Sequence, residues 1–450
     1  MTATEQADAR ADAGIGALLR PAWATKRRLT RQLAVTIVAP VRPRQLAPLR
    51  RLLERIGEDA AGNAELPFGR LRTAHYARLV LLEKSRDLDG GVIPAQLVYM
   101  SDVDEPLSDH LDDLVALAPG LDQVFGRCEG YPSRRELTRD GRRRWLERHM
   151  IKTQAFYVNT VGRSVPQIQQ ESLLQGEIER FLDRGEWDGR EPIEVRAAIQ
   201  DYVGTRPELA WARAAAPGPG PLDVGRDVAA VAVPVLGALA AAPVLVPLLP
   251  LYALLLRWQE VHDVVETAPL TAAHERRLAE LEDLGPTNQL SAVGFVKPGL
   301  LRRVTMDVAL RGLDIACRHV FNHGALVGIK TIHFAHWTKL KSGGQFMFAS
   351  NYDGTVKSYN DDFIDKVWWG TNLVFSNGVG WPRSFLLIWG GLQDEQLFKN
   401  YIRRHQIPTQ VWYDAYPELS VKNIDNNAKI RAGLFGAMNR EEAERWLRLI

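Results

Sequence analysis

An ordered series of residue matches relates the two ends of this 450-residue chain. Ala74-His75-Tyr76-Ala77-Arg78 corresponds to Ile332-His333-Phe334-Ala335-His336, and Ser101-Asp102-Val103-Asp104 to Ser350-Asn351-Tyr352-Asp353. The register continues through Asp112-Asp113 and Asp361-Asp362, Gly130-Tyr131-Pro132 and Gly380-Trp381-Pro382, and Thr153-Gln154 and Thr409-Gln410. Matches in constant order with small insertions are what a duplicated structural unit leaves behind. Two homologous halves are therefore expected, over roughly 29–185 and 288–450, and whatever one half folds into the other should fold into as well.

Within each half the hydrophobic period changes in the same order. Leu33 to Val41 is a short apolar, β-branched run of the kind that forms a buried strand, and Arg44 to Ile56 then spaces its leucines as a helix does. Thr73 to Leu82 and Ala95 to Met100 read as two strands joined across Asp87-Leu88-Asp89-Gly90-Gly91, and Leu107 to Leu117 as a helix. The second half repeats the order with Leu290 to Val296, Leu301 to Phe321, Thr331 to Leu340, a Ser342-Gly343-Gly344 turn, Phe346 to Ser350 and Lys357 to Trp369. The expected class is α+β, with tandem ferredoxin-like β-α-β-β-α units whose antiparallel sheets are covered by helices on one face and can pair face to face around a cavity. Glu395 to Arg404 and Thr409 to Tyr413 add a helix and a strand, and a last helix, Glu441 to Leu449, follows an N-capping Asn439.

Between the halves, Val228 to Leu256 carries no charged residue. A membrane span needs roughly 20 apolar residues, so the run is long enough for lipid contact. A single span, however, would leave the homologous halves on opposite sides of a bilayer. Pro234, Pro243, Pro247 and Pro250, with Gly237, should break a continuous helix into pieces. The expectation is an inserted apolar helical hairpin in one leaflet of a monotopic protein, at the cytoplasmic side; the bland reading is a helical pair buried in a soluble core. Flanking it, 1–28 reads as a tail, 186–227 as a linker stiffened by Pro217-Gly218-Pro219-Gly220-Pro221, and 257–287 as a helical connector.

Charge narrows the partners. With 56 basic and 54 acidic residues interspersed, the chain has no electrostatic footprint for nucleic acid. Cys128 and Cys317 lack CxxC spacing, which disfavours a zinc site and a disulfide framework and suits a reducing compartment. The polar Met1-Thr2-Ala3-Thr4-Glu5 start offers no signal-peptide pattern. Walker, GxGxxG, GxSxG and HExxH motifs are absent from the sequence. The remaining candidates are histidines and carboxylates. His333 and His336, expected on one face of a strand between Phe334 and Trp337, could offer imidazole nitrogens to a metal or flank a flat ligand, although most strand histidines are hydrogen-bonded core residues. Asp353, in an Asp-Gly turn before a helix, either serves the turn or, desolvated against Tyr352, Trp368 and Trp369, exchanges protons. Arg404 and His405 end a helix, where cations suit the dipole, or hold an anionic group such as a propionate or phospholipid head. Asp361-Asp362 is expected to cap its helix or pair with Arg403 or Arg404.

The runs Thr331-Ile332-His333-Phe334-Ala335-His336-Trp337, Ser350-Asn351-Tyr352-Asp353-Gly354 and Pro408-Thr409-Gln410-Val411-Trp412-Tyr413 resemble those of an uncharacterised bacterial family, in which the first reads IHFARW, so His336 stands where arginine is common. More distantly, the duplicated ferredoxin-like pattern with its Asp-Gly turn is similar to the dye-decolorising peroxidase and chlorite dismutase superfamily. That resemblance implies haem held between sheet and helices and a distal aspartate at Asp353, with Ser350 replacing the first glycine of the GxxDG turn. Two readings stay open: a membrane-associated, haem-dependent oxidoreductase acting on an apolar or lipid-derived substrate, with Asp353 as acid-base group and His333, His336 or His405 as ligand; and a non-enzymatic protein that binds a membrane lipid or apolar small molecule, or acts as a membrane scaffold through homo-oligomers.

Overall fold

A computed structural model describes residues 30–133, 135–214, 220–266, 270–321, 324–341 and 343–450. The tail at 1–28, most of the Pro-Gly linker at 217–221 and Ser342 of the expected turn lie outside the described residues.

Eight strands form two four-stranded antiparallel sheets, and the chain is mixed α+β. We label them β1 (Gln32–Pro40), β2 (Ala74–Leu82), β3 (Gln96–Asp104), β4 (Ala155–Val158), β5 (Thr287–Phe295), β6 (Ile332–Lys339), β7 (Gln345–Asp353) and β8 (Val411–Asp414). The first sheet runs β1-β3-β2-β8 and the second β5-β7-β6-β4. Each therefore takes three strands from one half of the chain and its fourth from the other. Val411 to Asp414 pair with Leu79 to Tyr76, and Ala155 to Val158 pair with Trp337 to Phe334. The element order expected from the sequence is present in both halves: α1 (Leu46–Glu58) follows β1, and α2 (Leu107–Ala116) follows β3.

Alternation sorts each strand's side chains between two layers. On the helix side of the first sheet, Val35, Ile37, Leu79, Leu97 and Tyr99 join α1 residues Leu49, Leu52, Leu53 and Ile56 in one core. The opposite face meets the second sheet, where Val80, Val98 and Met100 pack on Leu340, Met347 and Ala349. The expected face-to-face pairing is thus realised with this layer filled by side chains.

A separate helical unit joins Gly162–Asp223 to Leu419–Ile450. It contains α3 (Val165–Asp183), α4 (Pro192–Thr205), α5 (Val421–Ala432) and α6 (Arg440–Leu447). Leu174, Ile178, Ile199, Val203, Ile430 and Trp446 form its core, and the buried pair Glu171–Arg431 (3.1 Å) ties two of its segments. Two expected boundaries shift here. Val165–Asp183 belongs to this unit rather than to the first sheet, and much of the expected linker at 186–227 is helix α4 with a following 3-10 turn. Asn439 caps the last helix as expected, accepting from the Glu442 backbone N–H at 2.9 Å.

The charge-free run differs from its expectation. Pro221–His262 is one 42-residue helix, α7, with all four prolines inside it and no hairpin turn. Proline removes one helix hydrogen bond and crowds the carbonyl four residues earlier. Spaced three to nine residues apart, the prolines each free a single carbonyl within an otherwise continuous helix. Most of α7's apolar side chains are exposed, including Leu236, Leu239, Val244 and Leu254. By length and composition alone it could cross a membrane.

Candidate functional site

The C-terminal half of α7 roofs a cavity of about 680 Å³. Its roof is Leu245, Leu248, Leu249 and Tyr252; its floor comes from α8 (Leu300–His319) through Val304, Val308, Gly312 and Ala316; and its end wall comes from α9 (Val356–Lys366) and α10 (Trp368–Phe375) through Phe363, Trp369 and Phe375. Trp337 of β6 reaches it from the sheet. No charged residue lines it, and the Tyr252 and Thr305 hydroxyls are joined at 2.9 Å. At Gly312 an added Cβ would meet nothing within 4 Å, so the space extends to the α8 backbone. Such a volume, almost wholly apolar, suits an alkyl or isoprenoid chain.

Both ends of α7 are fastened. Asp227, at the start of the charge-free run, lies 3.1 Å from His319 at the end of α8. Beyond the run's far end, the buried Glu260 carboxylate accepts from the Leu386 and Leu387 backbone N–H groups at 2.9 and 2.8 Å and from Ser384 at 3.2 Å.

The sequence-derived candidates gather elsewhere, between the sheets. In a regular strand His333 and His336, three residues apart, would point to opposite faces. A bulge between Ile332 and Phe334 turns both into the inter-sheet layer. His333 Nε2 lies 2.7 Å from Asp353 Oδ1, and the ring sits 5.5 Å from Tyr76. His336 Nε2 lies 2.5 Å from Asp102 Oδ1. The matching bulge in the first sheet, between Ala74 and Tyr76, places His75 3.0 Å from Asp104 and 2.9 Å from the Tyr416 hydroxyl. His75–Asp104 and His333–Asp353 are thus the same arrangement at corresponding positions of the two sheets.

Arg78 stands where the second half has His336. Its guanidinium donates to the Leu290 and Ser350 carbonyls at 2.8 and 3.0 Å, to the Ser291 hydroxyl at 2.9 Å and to Asn351 Oδ1 at 2.5 Å. Burial pulls its pKa down to about 10 against the raising influence of Asp102. Asn351 in turn donates to Asp102 Oδ2 at 3.0 Å. Asp414 completes the layer. Burial pushes its pKa up to about 7, opposed by the Tyr416 backbone N–H and by His333 and His75. Its Oδ2 is shut from solvent without a hydrogen-bond partner.

The other candidates are structural in their placement. Tyr352 stacks on Tyr359 at 3.9 Å on the helix side of the second sheet and Trp369 lines the cavity, so neither forms the wall expected for Asp353. Thr355 caps α9 through Ser358 N–H. Asp361 pairs with Lys399 and Asp362 with Lys366 (2.7 and 2.6 Å), where Arg403 or Arg404 was expected. Arg404 meets Glu266 at 3.0 Å, and His405 bonds the Tyr401 carbonyl at 2.8 Å beside a void of about 30 Å³. Burial lowers the His405 pKa.

Haem does not fit these residues. The three proposed imidazole ligands are absent from the lining of the 680 Å³ cavity, and His333 and His336 have their Nε2 atoms on carboxylates inside a filled layer. Among the described residues no group of three His, Cys, Asp or Glu side chains could hold a metal ion.

The cavity left no mark in the sequence, because its walls are ordinary apolar positions scattered over four helices, a strand and the loops between them. Sequence reasoning also passed over Asp102, Asp104 and Asp414 as site residues. The first two were visible in the repeat as the partners of Asn351 and Asp353. Set against known protein families, characterised proteins and solved structures, the chain has no match.

Proposed function

We propose that the protein is a monotopic, membrane-associated binding protein that holds the apolar chain of a lipid in the cavity under α7. The observation that carries this reading is the cavity itself: about 680 Å³, free of charged lining residues, and roofed by a helix that is apolar on all sides and exposed along most of its length. A helix of that composition is stable against lipid rather than water. Each exposed leucine or valine moved into an acyl layer contributes on the order of 1.5–3 kcal/mol.

Strand exchange argues for lying in one leaflet rather than crossing. Residues before α7 are hydrogen-bonded to residues after it in both sheets, β2 to β8 and β4 to β6. A helix crossing a bilayer would put those partners on opposite sides. The cavity-lining face of α8 is itself open: Val304 and Val308, with Leu300, are exposed at helical spacing and extend the apolar surface beside α7. The two buried thiols, Cys128 and Cys317, support a reducing, cytoplasmic face. We take the two sheets as tandem ferredoxin-like units that have exchanged their last strands, a reading supported by the common element order and the paired His–Asp contacts.

Purification in a neutral detergent followed by organic extraction and mass spectrometry tests the proposal. A chain-bearing lipid at close to one per protein is the expected result, and Gly312→Leu, which projects a side chain into the cavity, should lose it. Equal lipid in both proteins would refute the assignment of the cavity.

A further inference from the structure

Two buried cations, Lys297 and Arg302, lie at the N-terminal end of α8, outside the cavity lining. Arg302, in the first turn of α8, is 1 % exposed, and one of its terminal nitrogens lies 2.6 Å from Asp263 Oδ2. Lys297 Nζ, on a side chain also buried, lies 2.6 Å from the same oxygen and 2.8 Å from the Ser376 carbonyl. Two cations thus share one carboxylate. Arg302 Nε and Nη1, both shut from solvent, have no hydrogen-bond partner. Three more buried polar atoms without partners lie on the neighbouring residues: Ser376 Oγ, Asn377 Oδ1 and Gln259 Oε1. Unpaired buried polar atoms in this number call for a missing partner. Gly299, at φ 96°, brings no side chain to cap α8, so the positive end of a 20-residue helix adds to the same field. Lys297's pKa is lowered by burial and by Arg302 beside it, with Asp263 and Glu260 opposing, and negative charge would suit the unpaired Arg302 donors.

The position of this cluster says what would bring that charge. Thr305 and Tyr252 line the cavity one turn from Arg302 and about two turns from Gln259. The charge-free run ends at Leu256, and exposed Trp258 follows it, as at the edge of a hydrocarbon layer. We infer that Lys297 and Arg302 bind the phosphate of an anionic lipid whose chain occupies the cavity, with the α8 N-terminus facing the phosphate oxygens. This rests on the proposed lipid-binding reading and adds the headgroup class to it.

Native mass spectrometry of the delipidated full chain in neutral detergent can separate the two ideas. Three probes are titrated: dioleoyl phosphatidate, dioleoylglycerol and inorganic phosphate. The expected result is phosphatidate binding at least tenfold tighter than dioleoylglycerol, the effect of one or more charge-assisted hydrogen bonds. Lys297→Met should remove most of that preference while leaving dioleoylglycerol unchanged, and Gly312→Leu should weaken both lipids. Tight binding of inorganic phosphate, unaffected by Gly312→Leu, would overturn the lipid source in favour of free phosphate. Equal binding of phosphatidate and dioleoylglycerol by the unaltered protein would overturn the anion site and leave the apolar cavity standing. Failure of every probe would remove the lipid-binding reading as well.

Discussion

Replacing Asp414 by asparagine should stabilise the protein by an amount that depends on pH. A carboxyl moved from its ordinary 3.8 to about 7 by burial holds its proton more tightly in the folded chain than in the unfolded one, by about 4 kcal/mol at most. Because the folded pKa is raised, the stabilising protonated state is fully present below 3.8, is lost progressively as pH rises, and is gone above about 7. Asparagine cannot ionise and keeps an acceptor for the Tyr416 backbone N–H, which Asp414 Oδ1 now accepts at 2.9 Å. The stability difference between variant and parent should therefore rise by about 1.4 kcal/mol per pH unit between 4 and 7 and then level off. His110 titrates with the opposite sign, since burial lowers it to about 3 and its neutral form is lost on unfolding. Its contribution cancels in the difference between the two proteins, but it would flatten the parent's own profile. Thermal unfolding of both proteins in neutral detergent from pH 4 to 8 is the assay. The melting difference should widen by roughly 5 °C, given the small shift per kcal/mol in long chains. A difference constant across the range would show that Asp414 is not held in its neutral form by the inter-sheet layer, and the reasoning would fail with it.

Other perturbations test other parts of the structure. Gly312→Leu should raise the melting temperature of delipidated protein, because it adds roughly 0.5–1 kcal/mol of helix propensity and meets open space; a fall would mean that the cavity is narrower than described. Leu236→Arg with Leu239→Arg, at two exposed positions of α7, should reduce vesicle binding roughly a hundredfold or more in a flotation assay while leaving thermal unfolding in detergent unchanged. Arg78→Met strips donors from two buried carbonyls, Ser291 and Asn351, and a loss of about 4 kcal/mol or more is expected in denaturant titrations. Arg431→Met, leaving Glu171 buried without its cation, should unfold the helical unit with a loss of about 3–5 kcal/mol, measured by protease sensitivity within 162–223.

The strands and helices of the two halves were legible because each buries one face, and alternation or helical spacing reports that face directly. β1, β2, α1 and α8 lie within a few residues of where their patterns place them. What the patterns could not carry is which sheet a short strand joins. Ala155–Val158 and Val411–Asp414 are four residues each and buried or half-buried throughout, so nothing local distinguishes pairing with their own half from pairing with the other. The same limit explains the inter-sheet layer. Three residues apart, His333 and His336 share one space only because of the bulge at Ile332, and bulges leave no mark in residue type. Lys297 and Arg302 are a second case, since a lysine before Pro-Gly and an arginine in a first helical turn are ordinary surface residues until burial makes them exceptional.

Strand exchange also decides what the charge-free run can be. Four prolines argued for a broken hairpin, because a chain that returns to its starting side needs a turn within the leaflet. The fold meets that requirement without one. With β4 and β8 each committed to the opposite sheet, the segments before and after α7 are locked together on the same side, and both ends of the helix are tied to the body by Asp227–His319 and by Glu260. A continuous helix fastened at both ends lies along the protein surface, with one face turned outward and the other toward the body. The face toward the body is apolar too, and the body offers it a hollow rather than a matching wall. The prolines then have a different consequence: they keep α7 from donating a full set of helix hydrogen bonds, so its turns over the cavity bend at small cost. Stiffening that stretch by Pro247→Ala with Pro250→Ala should slow lipid exchange, measured as the rate at which added lipid displaces bound lipid, without changing the amount bound at equilibrium. Unchanged exchange would mean that the chain enters from the α8 side instead.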